Sequence, residues 1–144
     1  MPRVEYHRSS QSNLRCAALD AAAFASKNLY NVARSTTRQA YIFWGEITTY
    51  HRLANERRVH AAYRARPANV SQWVLNPVCA AWDSFFAARA ADARDPSRFV
   101  RRSKLPQYKE KDGRNLLTYT IQVICVLLLR DGSIMFWGLD VFPF

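Results

Sequence analysis

The chain has 144 residues, 21 Lys and Arg against 11 Asp and Glu, and a formal net charge of +10. That length suits one domain, or a domain with a small insertion, and a content of 49% hydrophobic and 13% aromatic residues excludes global disorder. The longest apolar run, Val123–Leu129, is seven residues, far short of the roughly 20 a membrane helix needs, and the polar N-terminus is no signal peptide, so no membrane partner is expected.

The cations are mostly arginine. A guanidinium is a planar fork that suits phosphate and stacks on bases, so nucleic acid is the expected partner. The bland alternative is a basic surface kept for solubility. Cys16, Cys79 and Cys125 are far apart and odd in number, which reads as reduced thiols in a cytoplasmic protein. His7, His51 and His60 form no ligand cluster with them. No metal or other cofactor is expected.

In chain order, residues 1–13 read as either an N-terminal strand or a disordered lead, with Ser12 and Asn13 as helix-capping residues. A long helical pattern follows over Leu14–Trp44. Ala22, Ser26, Leu29, Ala33, Thr36, Ala40 and Phe43 step by three and four, which predicts one buried face. Lys27, Asn31, Arg34, Arg38 and Tyr41 make a second stripe, either a phosphate-binding flank or an ordinary solvated face. Gly45 marks its end.

A second helix is expected over Ile47–Arg64, closed by Arg66-Pro67. A third starts after Asn69 as its cap. Val70, Val74, Val78, Ala81, Phe85 and Ala88 form its apolar face, widened by Trp73 and Trp82. Trp82, Phe85 and Phe86 at this spacing read as core rather than as base-stacking rings. Asn69, Gln72 and Asn76 share an amide-bearing side. Pro77 removes a backbone donor at a cost of about 3 kcal/mol, which predicts a kink or two helices meeting near Asn76.

Arg98–Arg114 is a basic connector. It holds seven cations (Arg98, Arg101, Arg102, Lys104, Lys109, Lys111 and Arg114), two acids, and the ring of Tyr108. Such a segment is either ordered by a polyanion or a flexible linker. From Leu116 the period changes to strand. Asp131-Gly132 signals a hairpin between Val123–Arg130 and Ser133–Trp137. The expected class is therefore α+β. A helical lobe of about three helices (14–97) precedes a basic connector and a β-hairpin or partial β-barrel (98–144).

Three stretches resemble one known family. They are Lys27–Asn31 with Arg38–Tyr41; Asn69–Phe86; and Asp95–Phe99 with Lys104–Lys109, Lys111–Asn115 and Leu117–Thr120. Their order and spacing resemble the N-terminal part of TnpB (OrfB)-type transposon-encoded RNA-guided nucleases. The resemblance implies a helical recognition lobe inserted in a β-barrel wedge domain, with guide RNA and the duplex DNA beside the target as partners. Base pairing then reads most of the sequence, and the protein holds backbone.

On that reading Lys27, Arg34, Arg38, Arg101, Arg102, Lys104, Lys109, Lys111 and Arg114 contact phosphates, with Tyr41 and Tyr108 beside them. Gln72 matches a family position near the target-adjacent duplex, and Thr120 matches another. Asn69 and Asn76 assist Gln72, whose amide can pair bidentately with adenine. Ile121 stands where the family usually has Asn, and Pro77 interrupts a helix the family keeps continuous. The three RuvC acids and the zinc finger of the family have no counterpart here, so no catalysis is expected from this chain alone. A truncated transposase remnant and a stand-alone helical DNA-binding regulator are the competing readings.

Overall fold

A computed structural model describes residues 14–64, 68–118, 133–135 and 141–143. Its first helix, α1, spans Leu14–Trp44, 31 residues long and within the expected bounds. It stops where Gly45 turns left-handed at φ 64°. Gly45 N–H donates to the Tyr41 carbonyl at 3.0 Å and Glu46 N–H to the Ala40 carbonyl at 3.2 Å, so these two carbonyls of the last turns are satisfied. An ideal Cβ on Gly45 meets nothing within 4 Å, so backbone geometry rather than space favours glycine there.

The expected second helix is two shorter ones. Helix α2 spans Tyr50–Arg57 and α3 spans Ala61–Arg64. Thr49 caps α2 by accepting from Arg52 N–H at 3.4 Å. The chain breaks at Arg58–His60 because His60 Nδ1 takes the Ala62 N–H at 3.1 Å, starting a new turn.

Helix α4 spans Ala68–Arg94 without interruption. It starts before Asn69, which is therefore inside the helix and not its cap. Pro77 sits within it, and the expected pair of helices meeting at Asn76 does not occur. The physical reason is location. Asn76 and Pro77 lie on the exposed side, as does Trp73, whose carbonyl loses its partner at Pro77. Water can reach a carbonyl on that side. Trp73 itself is 44% exposed and does not widen the apolar face.

Helices α1 and α4 run parallel. Thr37 meets Trp82, and Tyr41 meets Phe85, Phe86 and, further on, Arg89. The core lies between them and under α2 and α3. Leu29, Ala33, Leu53, Val74, Leu75 and Val78 are at most 2% exposed there. Trp82 and Phe85 belong to this core and Phe86 packs against it, as expected. Trp82 Nε1 donates to Thr37 Oγ1 at 2.7 Å, so its polar atom is satisfied. Phe43, expected inside, is 72% exposed: strict three–four steps drift around a 31-residue helix.

The α+β class is corrected. The described residues are helical, with no sheet or barrel of the expected kind. Leu116–Thr118, expected to begin a strand, form none. Two three-residue segments, β1 (Ser133–Met135) and β2 (Val141–Pro143), pair antiparallel with each other. Ser133–Met135 is thus partnered by the following segment. The expected partner strand over 123–130 and the turn at 131–132 lie outside the described residues, as do residues 1–13.

Candidate nucleic-acid interface

The basic connector divides into two halves. Its later half, residues 108–115, lies along α1 as a strap and runs antiparallel to it. Asn31 anchors the centre. Its Nδ2 donates to the Lys109 carbonyl at 3.0 Å, and its Oδ1 accepts the Lys109 N–H at 2.9 Å. One amide thus satisfies both backbone groups of one residue, as a neighbouring strand would. Lys27 Nζ donates to the Lys111 carbonyl at 2.5 Å. Asn115 N–H donates to the Ala23 carbonyl at 3.1 Å, and its Nδ2 to Ser26 Oγ at 3.1 Å. A turn between them is closed by Gly113 N–H on the Glu110 carbonyl at 3.0 Å.

Side chains complete the seam. Arg114 forks onto Asp20, Nε to Oδ1 at 2.6 Å and Nη2 to Oδ2 at 2.7 Å, over the ring of Phe24. That pair of hydrogen bonds holds the Asp20 carboxyl below its usual value of 3.8. Lys109 Nζ lies 4.9 Å from the Tyr30 ring centroid, and Arg38 lies 5.8 Å from that of Tyr108.

The second stripe of α1 is therefore mostly occupied. Lys27 is 3% exposed and Arg34 is 2% exposed. Arg34 donates one hydrogen bond to the Tyr30 hydroxyl, while its Nε and Nη1 are buried with no partner. Tyr41 is enclosed by Trp82, Phe85 and Phe86. Lys27 and Asn31 meet the later half of the connector, whereas Arg34 turns to Tyr30 and Tyr41 to the rings of α4, so all four touch the chain itself. Near Arg34, burial and then Asp83 push the Cys79 thiol above its usual value, so it is held as a thiol.

The earlier half of the connector has no such anchor. Arg98, Arg101, Arg102 and Lys104 are exposed. They follow a 3-10 turn at Pro96–Arg98, capped by Asp95, whose Oδ1 accepts from the Ser97 hydroxyl at 2.6 Å. Arg89 and Arg94 add exposed cations from the end of α4. Among the described residues, none of these six is ion-paired to a carboxylate. A cleft of about 540 Å³ opens beside them, lined by Tyr41, Phe85, Arg89, Asp92, Arg102 and Leu105. Arg89 Nη1 donates to the Tyr41 hydroxyl at 2.6 Å, and its guanidinium carbon lies 5.8 Å from the Phe85 ring centroid.

The remaining sequence candidates are scattered. Gln72 is half-buried and Asn76 exposed on α4, away from any described cation stripe. The side chain of Asn69 and all of Thr120 lie outside the described residues. Lys111 is exposed, while Tyr108 is 46% exposed under Arg38. Sequence reasoning missed Arg89 and Arg94, which stand out only once the end of α4 meets residues 98–104. Cys16 and Cys79 are free thiols, and no group of three potential metal ligands occurs among the described residues. No described helix is long and apolar enough to cross a membrane. No family model, curated protein or solved structure matches the chain.

Proposed function

We propose that the chain binds nucleic acid by its phosphates, as the front part of a TnpB-type RNA-guided nuclease holding guide RNA and the DNA beside its target. The basic rim of Arg89, Arg94, Arg98, Arg101, Arg102 and Lys104 supports this most. Six cations against two acids, Asp92 and Asp95, give that stretch a local excess of positive charge. They are exposed and free of carboxylate partners among the described residues. Such a rim gains free energy by releasing counterions from a polyanion, and it positions backbone without reading sequence.

The guide-RNA part of this reading rests on the resemblance of residues 27–41, 69–86 and 95–120, and the rim is compatible with it. The regulator alternative draws less support. A recognition helix in a major groove needs donors along its exposed side. The exposed side of α4 offers Asn76, Asp83 and Ser84, and no cation before Arg89.

The test is binding to a structured RNA and to duplex DNA of equal phosphate number across a salt series. RNA binding with a steep negative salt slope is expected. Tighter binding to the duplex would favour the regulator. No binding to either at low salt would overturn the proposal. Within the same reading, Gln72→Ala should shift DNA motif preference by about 1–3 kcal/mol.

A further inference from the structure

A second cleft, of about 510 Å³, lies between α1 and α2 and shares no residue with the rim. Its α1 wall presents Ser35, Gln39 and Trp44, and its α2 side presents Thr48, Arg52 and Arg57. Trp44 is 70% exposed, an unusual position for a large ring whose apolar faces would rather be covered. Phe43, 72% exposed, meets it edge-on with ring centroids 6.0 Å apart.

The two arginines of the cleft differ. Arg52 is spent: its Nε donates to Glu56 at 2.9 Å and its Nη1 to Glu46 at 2.7 Å. Among the described residues Arg57 has no such carboxylate, and its buried Nε has no hydrogen-bond partner. Glu46 and Glu56 offset the two cations, so the cleft is close to neutral and ill-suited to a bare phosphate. A neutral, flat ligand with acceptor edges fits it better. Guanine presents O6 and N7 to a guanidinium fork, and an amide such as that of Gln39 pairs with base edges as well. Aromatic rings stack on any base that has left its own stack.

We propose that this cleft holds one unstacked purine base, guanine foremost, of a single strand, stacked on Trp44 and hydrogen-bonded by Arg57 and Gln39. The inference rests on the nucleic-acid reading above and adds to it the kind of strand: single-stranded at this point. The rim holds phosphates, and the cleft supplies a contact that depends on an unstacked base being present.

The experiment compares two probes of equal charge on the whole chain, an abasic oligonucleotide and the same backbone carrying a single guanine. The guanine probe should bind about tenfold tighter. Trp44→Ala should abolish that difference while leaving the affinity for the abasic probe unchanged, and Arg57→Gln should abolish the difference at whatever abasic affinity the lost charge leaves. Trp44 is largely solvent-facing, so its loss should leave the thermal midpoint in place, which separates a binding defect from unfolding. Equal affinity of the wild-type chain for both probes overturns the cleft assignment and spares the rim. A preference that survives Trp44→Ala does the same. Failure to bind either probe or the structured RNA overturns both.

Discussion

The two halves of the connector are both cationic, with a net charge of +4 over residues 98–104 and +1 over residues 108–115, and they have opposite fates. Residues 98–104 carry Arg98, Arg101, Arg102 and Lys104 and stand exposed. Residues 108–115 carry Lys109, Lys111 and Arg114 and are stitched to α1. The difference is made by Asn31, Lys27 and Asp20, which offer backbone-like or ionic partners to the later half alone. Charge density sets how strongly a segment repels itself. The half with the lower net charge meets its own protein, and the partners that α1 offers fix where it lies.

That contrast can be broken from either side. The largest effect is expected from the joint substitution Arg101→Ala, Arg102→Ala and Lys104→Ala. The salt slope of RNA binding should flatten by about 0.7–0.9 for each phosphate that is no longer neutralised, with affinity down roughly tenfold or more. Thermal stability should stay as it was, since among the described residues these side chains make no hydrogen bond or ion pair. Unchanged binding would remove the rim from the interface.

Asn31→Ala comes next. It leaves the Lys109 N–H and carbonyl without their partner, a loss of about 1–3 kcal/mol. Amide exchange at Lys109 should accelerate more than exchange within α4. Equal acceleration everywhere would mean that the strap is not a separate unit.

Arg34→Met should act in the other direction. A buried guanidinium with two nitrogens unpartnered among the described residues is costly, and an apolar thioether removes that cost. A gain of about 1 kcal/mol in denaturant unfolding is expected. A loss instead would show that the bond to the Tyr30 hydroxyl and the ring contact outweigh the unpaired donors.

The smallest effect belongs to Asp20→Asn, and pH is needed to see it. The folded carboxyl titrates below 3.8, so its contribution is complete above that value. The contribution fades as pH falls through the lower folded-state value. The wild type should therefore converge on the variant in strong acid, and a gap that persists there would rule out the ion pair as its source.

Much of α1 was legible because its period is long and unbroken and Gly45 follows it. The core rings of α4 were legible for the same reason: Trp82 and Phe85 share one apolar side. The second stripe was legible in position but not in role. Lys27, Asn31 and Arg34 form a row in any reading. Nothing local to that row says that a segment some 80 residues later will take Lys27 and Asn31 while Arg34 turns to Tyr30. The break at Arg58–His60 was hidden because it depends on which atom the His60 ring accepts, not on a proline or glycine. The β class failed at Leu116–Thr118, where β-rich composition meets no partner strand among the described residues. The rim was half legible. Residues 98–104 declare themselves by charge, but Arg89 and Arg94 join them only through the fold.

The strap has a consequence for how the molecule is made. Asn31 bonds a residue 78 positions later, and Asp20 one 94 positions later. Pairings this distant must wait for large loops to close, which slows a helical protein that would otherwise assemble quickly. On a ribosome adding about 5–20 residues per second, α1 is complete for several seconds before its cover exists. Throughout that interval Lys27 and Asn31 lie bare beside ribosomal RNA, which competes for them with the segment that will eventually claim them.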